Sequence, residues 1–600
     1  MLYPINTDSR TVIDLSGIWK FMLEPETGGV DPAQPLRTDR YMAVPASFND
    51  QGIVKSIRRH VGNVYYEKEF TVMKALKSQR LVLRFGSATH QATVYLNGME
   101  VVRHKGGFTP FEAEINRYLV PGKNRLLVEV SNIIDHTTLP VGNLSEVKDG
   151  NGKTKKRLHE NFDFFNYAGL HRPVKIYTTP ATYIKDITVS YTVDSGNAAV
   201  RILVDRSSDA AVALTVYDEA GTEVVCGEGA DTTLRIPHVR LWEPLKPYHY
   251  TVKVELREHG KTVDVYEEAF GIRTIEVKNA RFFINGKAFY FKGFGKHEDL
   301  YYNGRGLNEA ANVMDINLMK WIGANSFRTS HYPYSEEMMR LADRQGIVVI
   351  DETTAVGLLL QFSPDLTLNG MAVKPENTWK IFKTQEAHEQ VIRELIARDK
   401  NLACVVMWSI ANEAATYAKG AVEYFKPLFD LVRRLDPQKR PLTMAYIMDS
   451  SPESDLTAEY LDVICLNRYY GWYVNHQDLE GAETAFKTEL QGWVRRCPKT
   501  PIVMTEYGAD TLPGLHAIDD IPYTEEYQSA YYEMNHRVFD SCPNIAGEQL
   551  WNFADFETWT GLIRIQGNHK GIFSRNREPK AAVKVLKERW ASIPDFGYKQ

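Results

Sequence analysis

With 600 residues the chain is too long for one ordinary core and calls for about three to five domains. Its 44% apolar and 24% charged residues match the globular average, which excludes disordered, collagenous and coiled-coil architectures. Lys and Arg (71) nearly balance Asp and Glu (76), and the net charge of −5 leaves no basic excess with which to bind nucleic acid or an acidic membrane.

The first segment, MLYPINTDSRTVIDLSG (1–17), has no charged stretch followed by an apolar one, and no apolar run along the chain approaches ~18 residues. Neither a secretion signal nor a membrane span is expected, and a cytoplasmic location is the expectation. From Thr11 to about Thr179 short strands are broken by turns: RLVLRF (80–85), QATVYL (91–96) and RLLVEV (125–130), with the hairpin pair Asn97-Gly98 and a turn at Pro121-Gly122. Residues 1–180 are therefore predicted to form a jelly-roll-like β-sandwich. Within them, the charged, glycine-containing block SEVKDGNGKTKKRLHE (145–160) reads as a solvated loop. Residues 181–274 hold AAVRILV (198–204), AAVALTVYD (210–218) and YTVKVELRE (250–258), the pattern of an immunoglobulin-like sandwich.

Near residue 275 strand-like runs begin to alternate with helical periods. Eight strands are predicted, AFYFKGFG (288–295), ANSFRT (324–329), IVVIDE (347–352), CVVMWSI (404–410), LTMAY (442–446), VICLN (463–467), PIVMTE (501–506) and GEQLWNF (547–553). Between them lie amphipathic segments such as 312–323, 336–346, 389–399 and 525–540. Eight strands each followed by a helix over 275–600 predict a (β/α)8 barrel, and chemistry is then expected at the C-terminal ends of the strands.

Other signals are negative. The five cysteines are scattered and have no C-x-x-C spacing, so no disulfide framework or zinc site is suggested. The nearest glycine run, Gly293-x-Gly295-x-x-Glu298, lacks its third glycine, and no nucleotide or metal cofactor is expected. The 32 Tyr and 10 Trp suit a sugar-binding cleft, but equally serve cores and interfaces. The strongest signal comes from the barrel rule. The fourth strand ends in Asn412-Glu413 and the seventh in Thr505-Glu506, so two carboxylates can converge across the barrel mouth, as glycoside hydrolysis requires. The alternative is two unrelated strand-end charges.

At this point FYFKGFGKHEDL (289–300), NSFRTSHYPY (325–334), WSIANE (408–413), TEYGAD (505–510) and NHKGIF (568–573) carry a resemblance. The chain resembles the β-glucuronidases of glycoside hydrolase family 2, especially the gut bacterial type, from IDLSGIWKF (13–21) and FGSATHQATVYLNG (85–98) through KERW (587–590). The resemblance implies a retaining exo-β-D-glucuronidase with Glu506 as nucleophile and Glu413 as general acid/base. It implies substrate-binding roles for Asp163 in NFDFFNYAG (161–169), His297, His331, Asn412, Asn467, Tyr469, Tyr473, Trp551, Arg564, Asn568 and Lys570, of which Asn412 would hold the sugar 2-hydroxyl. Asn568-x-Lys570 is the feature that would separate a glucuronidase from sibling galactosidases and mannosidases; a family 2 β-galactosidase or galacturonidase is the alternative among enzymes. A non-catalytic carbohydrate-binding scaffold is the rival of another class. The resemblance further implies a homotetramer and a lid over the aglycone in segment 356–379. One departure is visible: many relatives follow the acid/base with proline, whereas Glu413 precedes Ala414-Ala415, which removes a constraint toward extended backbone.

Overall fold

The computed structural model describes residues 1–25, 29–148, 150, 152, 154–360, 378–561 and 563–599. Most of segment 356–379, where a lid is expected, lies outside them. In the first sandwich a six-stranded antiparallel sheet runs in the order Tyr41–Val44, Gly17–Leu23, Asn63–Thr71, Lys123–Ser131, Gln91–Leu96, Met99–Lys105. It faces a four-stranded sheet of Val12–Asp14, Val174–Thr179, Arg80–Phe85 and Phe111–Glu114. Alternate residues of both sheets, among them Trp19, Phe21, Tyr66, Leu83, Val128 and Ile176, meet in one core. Asn97 (φ 53°) and Gly98 (φ 86°) make the tight turn their sequence calls for.

The block 145–160 is not a loop. Gly142–Lys148 and Thr154–Glu160 form a two-stranded antiparallel ribbon in which Glu146 stands opposite Lys156. Both faces of much of the ribbon meet water, so no apolar alternation marked it in the sequence. The ribbon runs straight into residues 161–169. The second sandwich packs a three-stranded sheet (Ile184–Asp194, Asn197–Arg206, Asp231–Ile236) on a four-stranded one (Glu223–Glu228, Ala211–Tyr217, Tyr250–Glu258, Lys261–Phe270) around Val200, Ile202, Leu214, Val252 and Val254.

Eight parallel strands then close into a barrel: β1 Phe291–Gly295, β2 Ser326–Arg328, β3 Val348–Glu352, β4 Val405–Asn412, β5 Leu442–Tyr446, β6 Ile464–Asn467, β7 Ile502–Glu506 and β8 Ile545–Leu550. Every predicted strand is present. The surrounding helices are α1 Glu309–Ile322, α2 Glu336–Gln345, α3 Gln385–Asp399, α4 Ala421–Leu435, α5 Leu479–Arg496, α6 Glu525–Ser541 and α7 Val583–Ser592. Asn308, Ser335 and Thr524 cap α1, α2 and α6 by accepting from backbone N–H groups, and left-handed Gly323 and Gly346 end the first two. The expectation of a helix after every strand fails once: between β5 and β6 the described residues hold only the 3₁₀ turn Ala458–Tyr460. The run between those two strands breaks at Pro452 and at the Asp455 side chain, which accepts the backbone N–H groups of Thr457 and Ala458. Among the described residues no helix is long and apolar enough to cross a membrane.

Candidate active site

The C-terminal ends of the barrel strands open into a cavity of about 1070 Å³ whose far wall comes from the first sandwich. Glu413, just past β4, and Glu506, closing β7, both line it. Glu506 is buried and firmly held: Arg328 Nη2 donates to Oε1 at 2.6 Å and Tyr469 Oη donates to Oε2 at 2.6 Å. Arg328 in turn grips Glu352 with Nη1 at 2.7 and 2.8 Å, and the Ser409 hydroxyl donates to the same carboxylate at 2.7 Å. The guanidinium thus stands between two carboxylates with its own position fixed.

Glu413 is placed differently. It is only partly buried, and among the described residues its one side-chain hydrogen bond comes from Asn467 Nδ2 at 3.1 Å. Its φ of 51° lies outside the extended geometry that a following proline favours, so Ala414 suits the conformation found. Burial first, and the charge of Glu413 second, push Glu506 above its ordinary value, while Arg328 and Tyr469 act against them. Burial raises Glu413 as well, opposed chiefly by Asn467. The guanidinium and the phenol, both bonded to Glu506, favour its carboxylate form, whereas Glu413 has only the Asn467 amide to do so.

Asn412 Oδ1 accepts from Asn467 Nδ2 at 3.0 Å and from Arg328 at 3.4 Å, so its amide N–H₂ is left to face the cavity. His331 lines the wall with Nδ1 at 3.1 Å from Glu352 and its ring stacked on Trp551, centroids 4.9 Å apart. Burial pushes this imidazole down to about 4, so it is neutral.

The other end of the cavity is built from both domains. Asp163, on the sandwich loop after the ribbon, is gripped by Arg564 (Nε–Oδ1 2.8 Å, Nη2–Oδ2 2.6 Å) and by Asn568 Nδ2 at 3.0 Å. Tyr473 Oη accepts from Arg564 at 2.7 Å and from Lys570 at 2.9 Å. Lys570 also pairs with buried Asp510 and lies over the Tyr473 ring at 4.8 Å. His569 points away, toward Asp555 and the carbonyl of Ile565, so Asn568 and Lys570 turn to the cavity together. Tyr469 and Tyr473, rings 5.1 Å apart, connect this end to Glu506.

Comparison with known proteins gives one consistent result. Residues 12–180 match the sugar binding domain of glycosyl hydrolases family 2, residues 182–273 match a second domain of that family, and residues 275–594 match its TIM barrel domain. The chain belongs to glycosyl hydrolase family 2. The β-glucuronidase of Streptococcus agalactiae serotype V is 51% identical, over 100% of this chain and 99% of that one. The β-glucuronidase of Paenibacillus borealis is 46% identical over 99% of each. The solved structure of Ruminococcus gnavus β-glucuronidase in complex with D-glucuronic acid superposes with a TM-score of 0.91 at 39% identity, covering 98% of this chain and 99% of that one.

Within this family 2 chain, eleven of the thirteen residues singled out from the sequence line one cavity. His297 and Asn467 do not line it. His297 is buried behind His331 and Trp551, with Nδ1 at 3.0 Å from the Tyr332 hydroxyl, and burial pushes it well below its ordinary value. Asn467 stands behind Asn412 and Glu413 and reaches the cavity only through them. Sequence reading passed over Arg328, Glu352 and Asp510. The first two close β2 and β3 as Glu506 closes β7, so the same strand-end rule would have found them; Asp510 sits in a loop with no such signal. Among the described residues no cluster of three or more His, Cys, Asp or Glu is placed to hold a metal ion.

Proposed function

We propose that the chain is a retaining exo-β-D-glucuronidase that releases glucuronic acid from β-D-glucuronides by double displacement. The observation that carries this reading is the buried Asn568–Lys570 pair lining the same cavity as the two carboxyl groups of Glu413 and Glu506. A pyranose laid between them presents its C6 carboxylate to the lysine and its anomeric carbon to Glu506. The named relatives support the same substrate class. Residues 1–180 and 181–274 serve as the two sandwich domains and 275–600 as the catalytic one, with Asp163 the sandwich's contribution to the sugar pocket.

In the first step Glu506, ionised beside Arg328, attacks the anomeric carbon while Glu413 gives its proton to the leaving oxygen. The amide of Asn412 donates to the sugar 2-hydroxyl, a contact that tightens as oxocarbenium character develops. Esterifying Glu506 removes the neighbouring negative charge, Glu413 loses its proton more readily, and it activates water for the second step. Neutral His331 and Trp551 form the wall against which the ring packs. Retention requires the two carboxyl groups roughly 5–5.5 Å apart.

Aryl β-D-glucuronide, glucoside, galactoside and galacturonide supplied in parallel test the reading. A kcat/KM for the glucuronide at least a hundredfold above the rest is expected, with β-configured glucuronic acid as first product by NMR; preference for any other glycoside overturns it. The same resemblance makes the assembly a homotetramer, which sedimentation velocity checks.

A further inference from the structure

Arg564 carries five N–H groups. One on Nε and one on Nη2 go to Asp163, a second on Nη2 goes to Tyr473, and the two on Nη1 go to Asp510 at 3.5 Å and the carbonyl of Ile563 at 3.2 Å. No N–H of Arg564 is left for a ligand. Lys570 has three, of which Asp510 and the Tyr473 oxygen take two. Asn568 has given one amide hydrogen to Asp163, and Tyr473, whose oxygen accepts from both cations, keeps its own hydroxyl hydrogen. Among the described residues one hydrogen each remains without a partner on Lys570, Asn568 and Tyr473.

Charge gives the complementary result. Two cations, Lys570 and Arg564, face two carboxylates, Asp510 and Asp163, so the subsite is formally neutral before any sugar arrives. Asp510 is buried, its Oδ1 accepts the backbone N–H of His569 at 2.9 Å, and it thereby also pins the loop that carries Asn568 and Lys570. Burial alone would raise this carboxyl, yet Lys570 and Arg564 hold it below its ordinary value, so it stays charged.

We propose that Asp510 is the specificity-determining positioning residue of the subsite: it fixes Lys570 with a single N–H left for the C6 carboxylate of a uronoside and cancels the lysine's charge. This rests on the glucuronidase reading and deepens it. Acid is told from neutral sugar by three aimed donors rather than by a net positive field. A lysine lost from this arrangement uncovers Asp510, and the uncovered carboxylate repels the substrate's own.

The test is a cycle on the full-length enzyme: wild type, Lys570→Met, Asp510→Asn and the double variant, each with 4-nitrophenyl β-D-glucuronide and β-D-glucoside. Lys570→Met lowers the glucuronide-to-glucoside ratio of kcat/KM. Adding Asp510→Asn to it recovers about tenfold of the glucuronide value, chiefly through KM, the size of a like-charge repulsion across several Å in a screened site. The glucoside gains no comparable recovery. If the second substitution instead lowers both substrates alike, Asp510 is only structural and the inference falls. Should Lys570→Met fail to fold, Asp510→Glu with Lys570 intact decides: the carboxylate is kept but displaced, and the glucuronide-to-glucoside ratio falls about tenfold for one misaligned charge-assisted bond, whereas an unchanged ratio overturns the proposal. A wild type without preference for the glucuronide overturns the activity reading itself; a wild type with that preference and no recovery overturns this inference alone.

Discussion

Replacing Tyr469 with phenylalanine removes one oxygen and leaves the buried ring in place beside Tyr473. That oxygen is one of two direct donors to Glu506, at 2.6 Å from Oε2, and the Arg328 contact on Oε1 is untouched. A hydrogen bond to a charged group contributes roughly 1.5–3 kcal/mol, and one pKa unit corresponds to about 1.4 kcal/mol, which sets an upper range of about one to two units. Water admitted in place of the hydroxyl offsets part of this, so about one unit is expected. The sign follows from which form the donor favours. Tyr469 stabilises the carboxylate and lowers the Glu506 pKa, so its loss raises it. In the proposed mechanism Glu506 works as the anion, and its deprotonation sets the acid limb of kcat/KM, the parameter that reports the free enzyme. In Tyr469→Phe the acid limb therefore moves to higher pH by about one unit, while the alkaline limb, set by Glu413 and its donor Asn467, moves less. The assay is kcat/KM for an aryl glucuronide from pH 4 to 9. A uniform fall in rate with the acid limb unmoved would show that Tyr469 does not tune the nucleophile and would sink the argument.

Glu506→Gln keeps the pocket shape but cannot attack, and turnover should vanish, whereas Glu413→Ala should still form the glycosyl-enzyme from an activated phenyl glucuronide and give a β-azide when azide is added; an α-azide refutes the retaining assignment. Lys570→Ala should lower kcat/KM for the glucuronide by at least one to two decades, roughly the 1.5–3 kcal/mol of a charge-assisted bond, with a much smaller loss on the glucoside. Equal proportional losses would remove the physical reader of the acid. Gly508→Ala introduces a Cβ that would meet the Trp551 carbonyl oxygen at 1.8 Å, two residues from the nucleophile. An overpacking cost of about 1–3 kcal/mol, read as a lower urea midpoint, should come with a lower kcat; an unchanged midpoint and rate would mean that the two loops separate freely.

The barrel was legible because its strands are buried on both faces and read as continuous apolar runs between turn signals, and the two glutamates stood out as polar endings to such runs. The exposed ribbon 142–160 was hidden because neither of its faces seeks a core, and the 3₁₀ turn after β5 replaced a helix through the Asp455 side-chain bonds, a local competition that periodicity does not register. Site residues were legible where they touch the cavity. Arg328 and Glu352 close their strands as Glu506 does and were open to the same strand-end rule, but that they form one buried ion pair holding Glu506 is not written in either residue. Only the fold brings Arg328 within 2.6 Å of Glu506, which is 178 residues further along the chain.

The two ends of the pocket answer to one electrostatic requirement. With Glu413 protonated, three cations (Arg328, Arg564, Lys570) stand among four carboxylates (Glu352, Glu506, Asp163, Asp510), and a glucuronide brings a further negative charge. A site already at or below neutrality resists a second ionisation at the carboxyl pair, so in the proposed mechanism the incoming acid itself helps Glu413 keep the proton it donates, beyond what burial does. In that mechanism attack then converts the Glu506 carboxylate to an ester, one negative charge disappears, and the same Glu413 is free to ionise for the second step. A neutral glucoside would supply the same anomeric carbon without this bias. On the proposed mechanism the C6 carboxylate is read twice, by the three hydrogens on Lys570, Asn568 and Tyr473 and by the protonation of Glu413, and Tyr469 with Tyr473 forms the packed path between the two readings.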